Sequence, residues 1–224
     1  MTMVLKDFEK ALTKSERGVL AQLTTPMKIQ AFLDKLPYSV EKGYRCPLRV
    51  LREHVAHCFD GALFGAAALR RLGNPPLILN MIANDEDDDH ILSLFRRDGY
   101  WGAIAKSNFS GLRFREPIYR TLRELVMSYF EQFYNVERKK TLRSYTVPLN
   151  LKAFDKFDWM ISDPPIEKIG KRLDEIRRVR ILTRSMIAGL SPIDERSYRA
   201  GLVGAKRAGL YQPHKRGIRK PEKF

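Results

Sequence analysis

Two residues of this sequence have the types and the context that nucleophilic catalysis needs, Cys58 and His90. Cys58 begins a stretch rich in alanine and glycine, 58–72, which ends before Gly73. This pattern predicts a helix whose first residue is the cysteine. Unpaired backbone N–H groups and the helix dipole favour a thiolate at that position. An imidazole on a facing strand could take the thiol proton and so activate the nucleophile.

Short strands are predicted to hold the histidine beside this helix. Residues 77–83 are apolar and follow a proline-containing turn, which is typical of a buried strand. A second strand, 90–97, begins at the histidine, and 100–107 returns beside it after Asp98 and Gly99. The small residues of the cysteine helix predict that it packs closely on another layer, most simply this sheet.

A catalytic histidine needs a hydrogen-bond acceptor on its second ring nitrogen, which fixes the tautomer and the ring orientation. A two-residue hairpin turn places His90 opposite Ser107. The candidate acceptors are, in order of preference, Asn108, Ser107, and then Asp89 or Asp88.

The rest of the chain predicts flanking helices around this core. Helices are expected within 1–24, 26–36, 119–134 and 166–190, an edge strand at 141–149 because of Pro148, and a connector at 113–117. The predicted fold class is α+β, with a single domain over 1–190. Its core spans about 45–150, the flanking helices lie in 1–44 and 151–190, and 191–224 forms a basic tail.

Composition limits the class of protein. The chain has 224 residues, 44% of them hydrophobic, and a formal net charge of +15. No apolar run is long enough to span a membrane, and the first residues lack the apolar core of a signal peptide. We therefore expect a cytoplasmic protein in which Cys46 and Cys58 are reduced. Residues 191–224 hold nine Lys or Arg against three Asp or Glu, which could attract an anionic partner or only solubilise the chain.

The sequence resembles the transglutaminase-like superfamily of papain-related cysteine enzymes, in an uncharacterised bacterial branch. The segments that carry the resemblance are Ala56-His57-Cys58, Asp88-Asp89-His90 and Trp101-Gly102-Ala103-Ile104-Ala105-Lys106-Ser107-Asn108-Phe109. The resemblance implies a papain-like core in which a helix with an N-terminal cysteine packs on a small antiparallel sheet. Superfamily members usually have an aspartate four residues after the tryptophan, where this chain has Ala105.

The resemblance and the side-chain chemistry together predict cysteine-dependent acyl chemistry on an amide or ester. The enzyme would be a peptidase, amidase, deamidase or transglutaminase-type transferase, acting on a peptide or another amide or ester. Cys58 would be the nucleophile and His90 the base, with Asn108 or Ser107 orienting the ring. We expect no metal and no cofactor.

Two further residues are candidates for contact with the substrate. Trp101 is expected in the core or on the wall of the cleft, and His57 is expected to contact the substrate or to cap the helix. The alternative function is a catalytically inactive scaffold that binds partners through its basic surface, which the alanine at position 105 favours. Nucleic-acid binding through 191–224 is a third hypothesis.

Overall fold

A computed structural model describes residues 3–41 and 43–213 of the chain. In this part the α-helices are α1 (Met3–Ala11), α2 (Lys14–Gln22), α3 (Pro26–Lys35), α4 (Pro47–Glu53), α5 (Cys58–Arg71), α6 (Leu122–Met127), α7 (Pro164–Glu175), α8 (Arg184–Ala188) and α9 (Glu195–Gly201). The strands are β1 (Leu77–Ala83), β2 (His90–Arg97), β3 (Tyr100–Ile104), β4 (Arg115–Tyr119), β5 (Leu142–Thr146), β6 (Leu149–Asn150) and β7 (Arg178–Arg180). The chain thus combines helices with an antiparallel sheet.

The described residues form a seven-stranded sheet in the order β4-β3-β2-β1-β5-β7, with β6 paired to β1. All of its strand pairs are antiparallel. The predicted hairpin is confirmed, since Arg97 pairs with Tyr100 and the ladder continues to the pair Ser93 and Ile104. The ladder ends there, so the predicted pairing of His90 with Ser107 lies beyond it. His90 pairs on its other side with Met81 of β1.

The cysteine helix packs directly on the sheet, as its small residues predict. The Ser93 hydroxyl of β2 donates a hydrogen bond of 2.7 Å to the Ala62 carbonyl. A Cβ at Gly65 would lie 3.1 Å from the Ser93 Cβ, and a Cβ at Gly61 would overlap the side chain of Lys106. A larger residue at either position would push the helix off the sheet.

Apolar side chains cover both faces of the sheet. Ile91 and Phe95 pack in the core that contains α5, whereas Leu92 and Leu94 pack in a second core with α6. Because side chains alternate along a strand, His90 projects from the same face as Leu92. His90 therefore projects from the face of the sheet opposite to the one on which α5 packs.

The predicted connector at 113–117 and the predicted helix at 119–134 are wrong. Residues Arg115–Tyr119 form the edge strand β4, where an internal proline is tolerated. The helix α6 is short because the guanidinium of Arg115 binds both the hydroxyl and the carbonyl oxygen of Ser128. This carbonyl accepts from the arginine side chain at the point where the helix ends.

Two later predictions also fail because a strand was missed. The segment at 141–149 is not an edge strand, since β5 lies between β1 and β7. The predicted helix 166–190 is divided into α7, β7 and α8. Residues 178–181 alternate charged and apolar side chains, a period of two that suits the pairing of β7 with β5.

The segment expected to be a basic tail is folded as far as residue 213. The helix α9 begins this segment, and the Ser110 hydroxyl donates a 3.0 Å hydrogen bond to the Ala200 carbonyl. Tyr134 donates to the Ser197 carbonyl at 3.3 Å. The remaining residues of the predicted tail, 214–224, lie outside the described residues. No helix in the described part of the chain is long and apolar enough to cross a bilayer.

Candidate functional site

The cysteine occupies the first position of α5 because His57 caps the helix. The His57 Nδ1 atom accepts hydrogen bonds from the backbone N–H groups of Phe59 at 3.0 Å and Asp60 at 3.4 Å. An acceptor at Nδ1 places the ring proton on Nε2, and burial lowers the pKa of this imidazole. His57 therefore acts as the cap of α5, and it also lines a cavity beside Cys58.

Asp60 completes the cap, and sequence reasoning missed it. One carboxylate oxygen accepts from the His57 N–H at 3.3 Å, and the other accepts from the Arg45 N–H at 2.9 Å. The Arg45 guanidinium also lies 3.5 Å from the carboxylate. Burial raises the pKa of Asp60, which has no exposed surface. An acidic residue three positions after the cap was the available sequence signal, because it is the mark of a capping box.

The Cys58 thiol lies half-buried at the end of the helix. Its sulfur is 3.9 Å from the Asp89 carbonyl oxygen, and the Tyr38 hydroxyl contacts both the thiol and the Cys58 backbone N–H. Burial, together with the smaller effect of the Asp88 and Asp60 charges, raises the pKa of the thiol to about 12, although the Tyr38 contact opposes the shift. Desolvation therefore favours a neutral thiol in this conformation over the expected thiolate.

His90 is buried, and a backbone carbonyl fixes its ring. The Nε2 atom lies 2.8 Å from the Leu112 carbonyl oxygen, so Nε2 carries the proton and donates it. Burial lowers the pKa of this imidazole to about 4. Within the described residues the imidazole and the Cys58 thiol are not hydrogen-bonded to each other.

The predicted acceptors for the histidine make other contacts. Asn108 forms two hydrogen bonds with the backbone of Lys206, and the Ser107 hydroxyl accepts from the Phe109 N–H at 3.0 Å. The Asp89 carboxylate accepts from the Asn80 side chain at 2.9 Å and from the backbone of β1. The Leu112 carbonyl thus takes the place that the sequence analysis gave to Asn108 or Ser107.

Ala105, where the superfamily usually has an aspartate, is fully buried. Its backbone N–H donates to the Gln30 side chain at 3.0 Å, and its carbonyl accepts from the same side chain at 2.9 Å. Trp101 packs at the hairpin end of the sheet, where the Arg96 guanidinium lies 4.2 Å from the ring centre. Among the described residues, Trp101 is not one that lines the cavity.

Cys58 and His90 are both among the residues that line one cavity of about 640 Å³. Its wall includes Tyr38, Cys58, Asp88, His90, Asn108 and Gly209. The last of these belongs to the segment that was expected to be a free tail. Both predicted catalytic residues and a later part of the same chain thus contribute to the wall of one cavity.

The acidic loop before His90 is a braced turn. The Asp87 carboxylate accepts from the Thr141 hydroxyl at 2.6 Å and from the Asp88 N–H at 2.9 Å. Glu86 forms an ion pair with Lys139 at 2.5 Å. No group of three or more His, Cys, Asp or Glu side chains is arranged to hold a metal ion in the ranges 3–41 and 43–213.

Comparison with known proteins gives similarity in fold only. No protein-family model matches the chain, and no curated protein matches it. Among solved structures the chain is similar to Legionella pneumophila LapG, with 12% identity over 46% of this chain and 68% of that chain at a TM-score of 0.34. The EGTA-treated form of Legionella pneumophila LapG shows 9% identity over 74% of this chain and 95% of that chain, at a TM-score of 0.40.

Proposed function

We propose that this protein carries out cysteine-dependent acyl chemistry on an amide or ester carbonyl, as a transglutaminase-like hydrolase or acyltransferase. The observation that supports the proposal is that Cys58 and His90 line the same cavity. The His57 cap fixes the position of Cys58 at the start of α5, and the Leu112 carbonyl fixes the ring of His90. Both devices hold a nucleophile and a base in set orientations.

The tautomer of His90 leaves Nδ1 as the ring nitrogen that can accept a proton in the proposed mechanism. Because Nε2 of His90 donates to Leu112, the thiol proton passes to Nδ1. The sulfur then attacks the carbonyl carbon and forms a thioacyl-enzyme, and the protonated imidazole gives its proton to the leaving amine or alcohol. Water or an amine attacks the thioester in turn, regenerating the thiol. The Tyr38 hydroxyl, in contact with the Cys58 N–H, marks the place where that N–H would receive the oxyanion.

The proposal is tested by trapping the acyl-enzyme. The full chain is mixed with p-nitrophenyl acetate, quenched in acid, and mapped by mass spectrometry for acetyl groups on each cysteine. We expect acetylation of Cys58, slowed about a hundredfold or more by His90→Gln because the base is lost. Cys46→Ala is the matched control, since that thiol is buried at the start of α4. Acetylation of Cys58 at the same rate with and without His90 would refute the proposal.

The neutral state of both groups favours a second candidate, a scaffold of this fold that binds partners without catalysis. Burial keeps the thiol protonated and the imidazole uncharged in this conformation. Under this candidate, no thioacyl adduct forms even when the cavity is opened to solvent. The two candidates therefore differ in a single measurement, the mass of Cys58 after exposure to an acyl donor.

A further inference from the structure

Asn108 binds the backbone of a distant residue through both ends of its amide. Its Nδ2 atom donates to the Lys206 carbonyl at 2.9 Å, and its Oδ1 atom accepts from the Lys206 N–H at 2.8 Å. Lys206 has an extended backbone, with φ −81° and ψ 105°, and its side chain is exposed. Asn108 thus recognises the main chain of an extended residue in the way a neighbouring strand would, independently of the side chain.

The residues after Lys206 lie along the cavity wall. The segment 205–212 is held at its far end by Tyr211, whose hydroxyl lies 3.3 Å from the Asp85 carbonyl oxygen. Between the two contacts, Gly209 lies against the ring of Tyr38, and a Cβ there would come within 2.8 Å of that ring. The Tyr38 hydroxyl in turn contacts the Cys58 thiol. Gly209, three residues after the residue bound by Asn108, therefore packs on the tyrosine whose hydroxyl contacts the Cys58 thiol.

We propose that the groove between Asn108 and Tyr38 is a binding site for the main chain of a polypeptide, and that the segment 205–212, which turns at Arg207–Gly209, is its internal occupant. This inference rests on the proposed function and names its substrate class: a peptide in which one extended residue, bound by Asn108, is followed by a turn with glycine at its third residue. The internal segment competes with such a substrate and shields the thiol. Asn108 is a substrate-binding residue here.

The first test measures access to Cys58 by its rate of alkylation with iodoacetamide, mapped by mass spectrometry to separate it from Cys46. Asn108→Ala removes both hydrogen bonds to the segment and should raise the rate about tenfold or more. Gly209→Leu forces the segment away from Tyr38 and should do the same. Arg207→Gln, at an exposed position of the segment, is the control and should leave the rate unchanged. Unchanged rates in the first two variants, with far-UV spectra like that of the wild type, would overturn the proposal.

The second test restores the occupant in trans. A synthetic peptide with the sequence of residues 205–212, Ala-Lys-Arg-Ala-Gly-Leu-Tyr-Gln, is added at millimolar concentration to the Gly209→Leu variant. It should slow alkylation of Cys58 back toward the wild-type rate. The matched control is the same peptide with a methyl group on the backbone nitrogen of its lysine. This change removes the N–H that donates a hydrogen bond to the Asn108 Oδ1 atom. Equal protection by both peptides would overturn the assignment of Asn108.

Failure of this inference can be told apart from failure of the proposed function. Alkylation reports access and needs no turnover, whereas acetylation with dependence on His90 reports the chemistry. If the peptide protects Cys58 but no thioacyl adduct forms, the peptide-binding groove is supported and the proposed enzymatic function is refuted. An adduct on Cys58 with alkylation indifferent to Asn108 and to the peptide would leave the enzyme and remove the groove.

Discussion

Gly61→Ala tests whether the close seat of the cysteine helix decides the geometry of the site. The added Cβ would overlap the Cβ of Lys106 and would lie 3.2 Å from its Cγ, whereas carbon atoms in contact are normally about 3.5–4.0 Å apart. Lys106 cannot swing aside, because its Nζ atom donates to the carbonyls of Leu33 (2.9 Å) and Leu36. The first turn of α5 must therefore move away from the sheet by about 1 Å.

This displacement has a cost that helix propensity does not cancel. Alanine gains about 1 kcal/mol over glycine in a helix, but overpacking of a rigid core costs about 1–3 kcal/mol. We expect Gly61→Ala to lower the free energy of unfolding, measured by urea denaturation, by about 1–2 kcal/mol in net terms. A shift of about 1 Å at the nucleophile should also slow acylation of Cys58, by about a hundredfold.

Two other helical glycines supply matched controls. A Cβ at Gly18 in α2 would meet nothing within 4 Å, and one at Gly170 in α7 would make an ordinary contact of 3.6 Å with Phe59. Gly18→Ala should therefore stabilise the protein by about 0.5–1 kcal/mol, and Gly170→Ala should stabilise it or leave it unchanged. If Gly61→Ala proves as stabilising as Gly18→Ala, the close packing of α5 on the sheet is not what the contacts indicate.

Three further predictions follow from the buried groups of the site. The His90 ring has a pKa of about 4 in the folded chain, against an ordinary value of 6.5. The free energy of unfolding should therefore fall as the pH falls from 6.5 toward 4, because only the unfolded chain takes up the proton. In urea titrations, His90→Gln should remove about 2–3 kcal/mol of that fall between pH 7 and pH 4.5. Asp87, whose pKa is raised to about 6, contributes in the opposite direction, so the variant must be compared with the wild type at each pH. Tyr38→Phe should raise the pKa of Cys58 and slow its alkylation at pH 9, and a faster reaction would contradict the assigned contact. Ala105→Asp should destabilise the fold by about 3 kcal/mol or more, since it places a carboxylate in a fully buried apolar cluster; unchanged stability would show that position 105 can take the usual acidic residue.

The elements that could be predicted are those whose signals are local. Asp98 and Gly99 have positive φ angles of 52° and 86°, which is what a two-residue hairpin turn of this hand requires. The apolar run of β1 and the small residues of α5 likewise report burial from their own composition. These signals were enough to place the cysteine at a helix start and the histidine at a strand start.

The strands β4 and β7 could not be predicted because their signals come from partners distant in the sequence. Each has five residues or fewer, and each lies at an end of the sheet with a single neighbouring strand. The end of α6 depends on Arg115, which reaches Ser128 across 13 residues. Hydrophobic periodicity over 119–134 suits a helix equally well with or without that contact, so the sequence pattern favours the longer helix.

The hydrogen-bond acceptor of His90 could not be predicted for a related reason. It is a backbone carbonyl, whereas the sequence analysis considered only side chains. The Leu112 carbonyl holds the His90 ring, and any residue at position 112 would offer the same oxygen. At Ala105 it is the backbone that makes hydrogen bonds, and both of them are with the Gln30 side chain. Asn108 binds the backbone N–H and carbonyl of Lys206, just as Gln30 binds the backbone N–H and carbonyl of Ala105. The sequence shows which residues have amide side chains, but it does not show which backbone groups those side chains bind. For Asn108 this difference decides between the predicted acceptor for His90 and the proposed contact with a bound peptide.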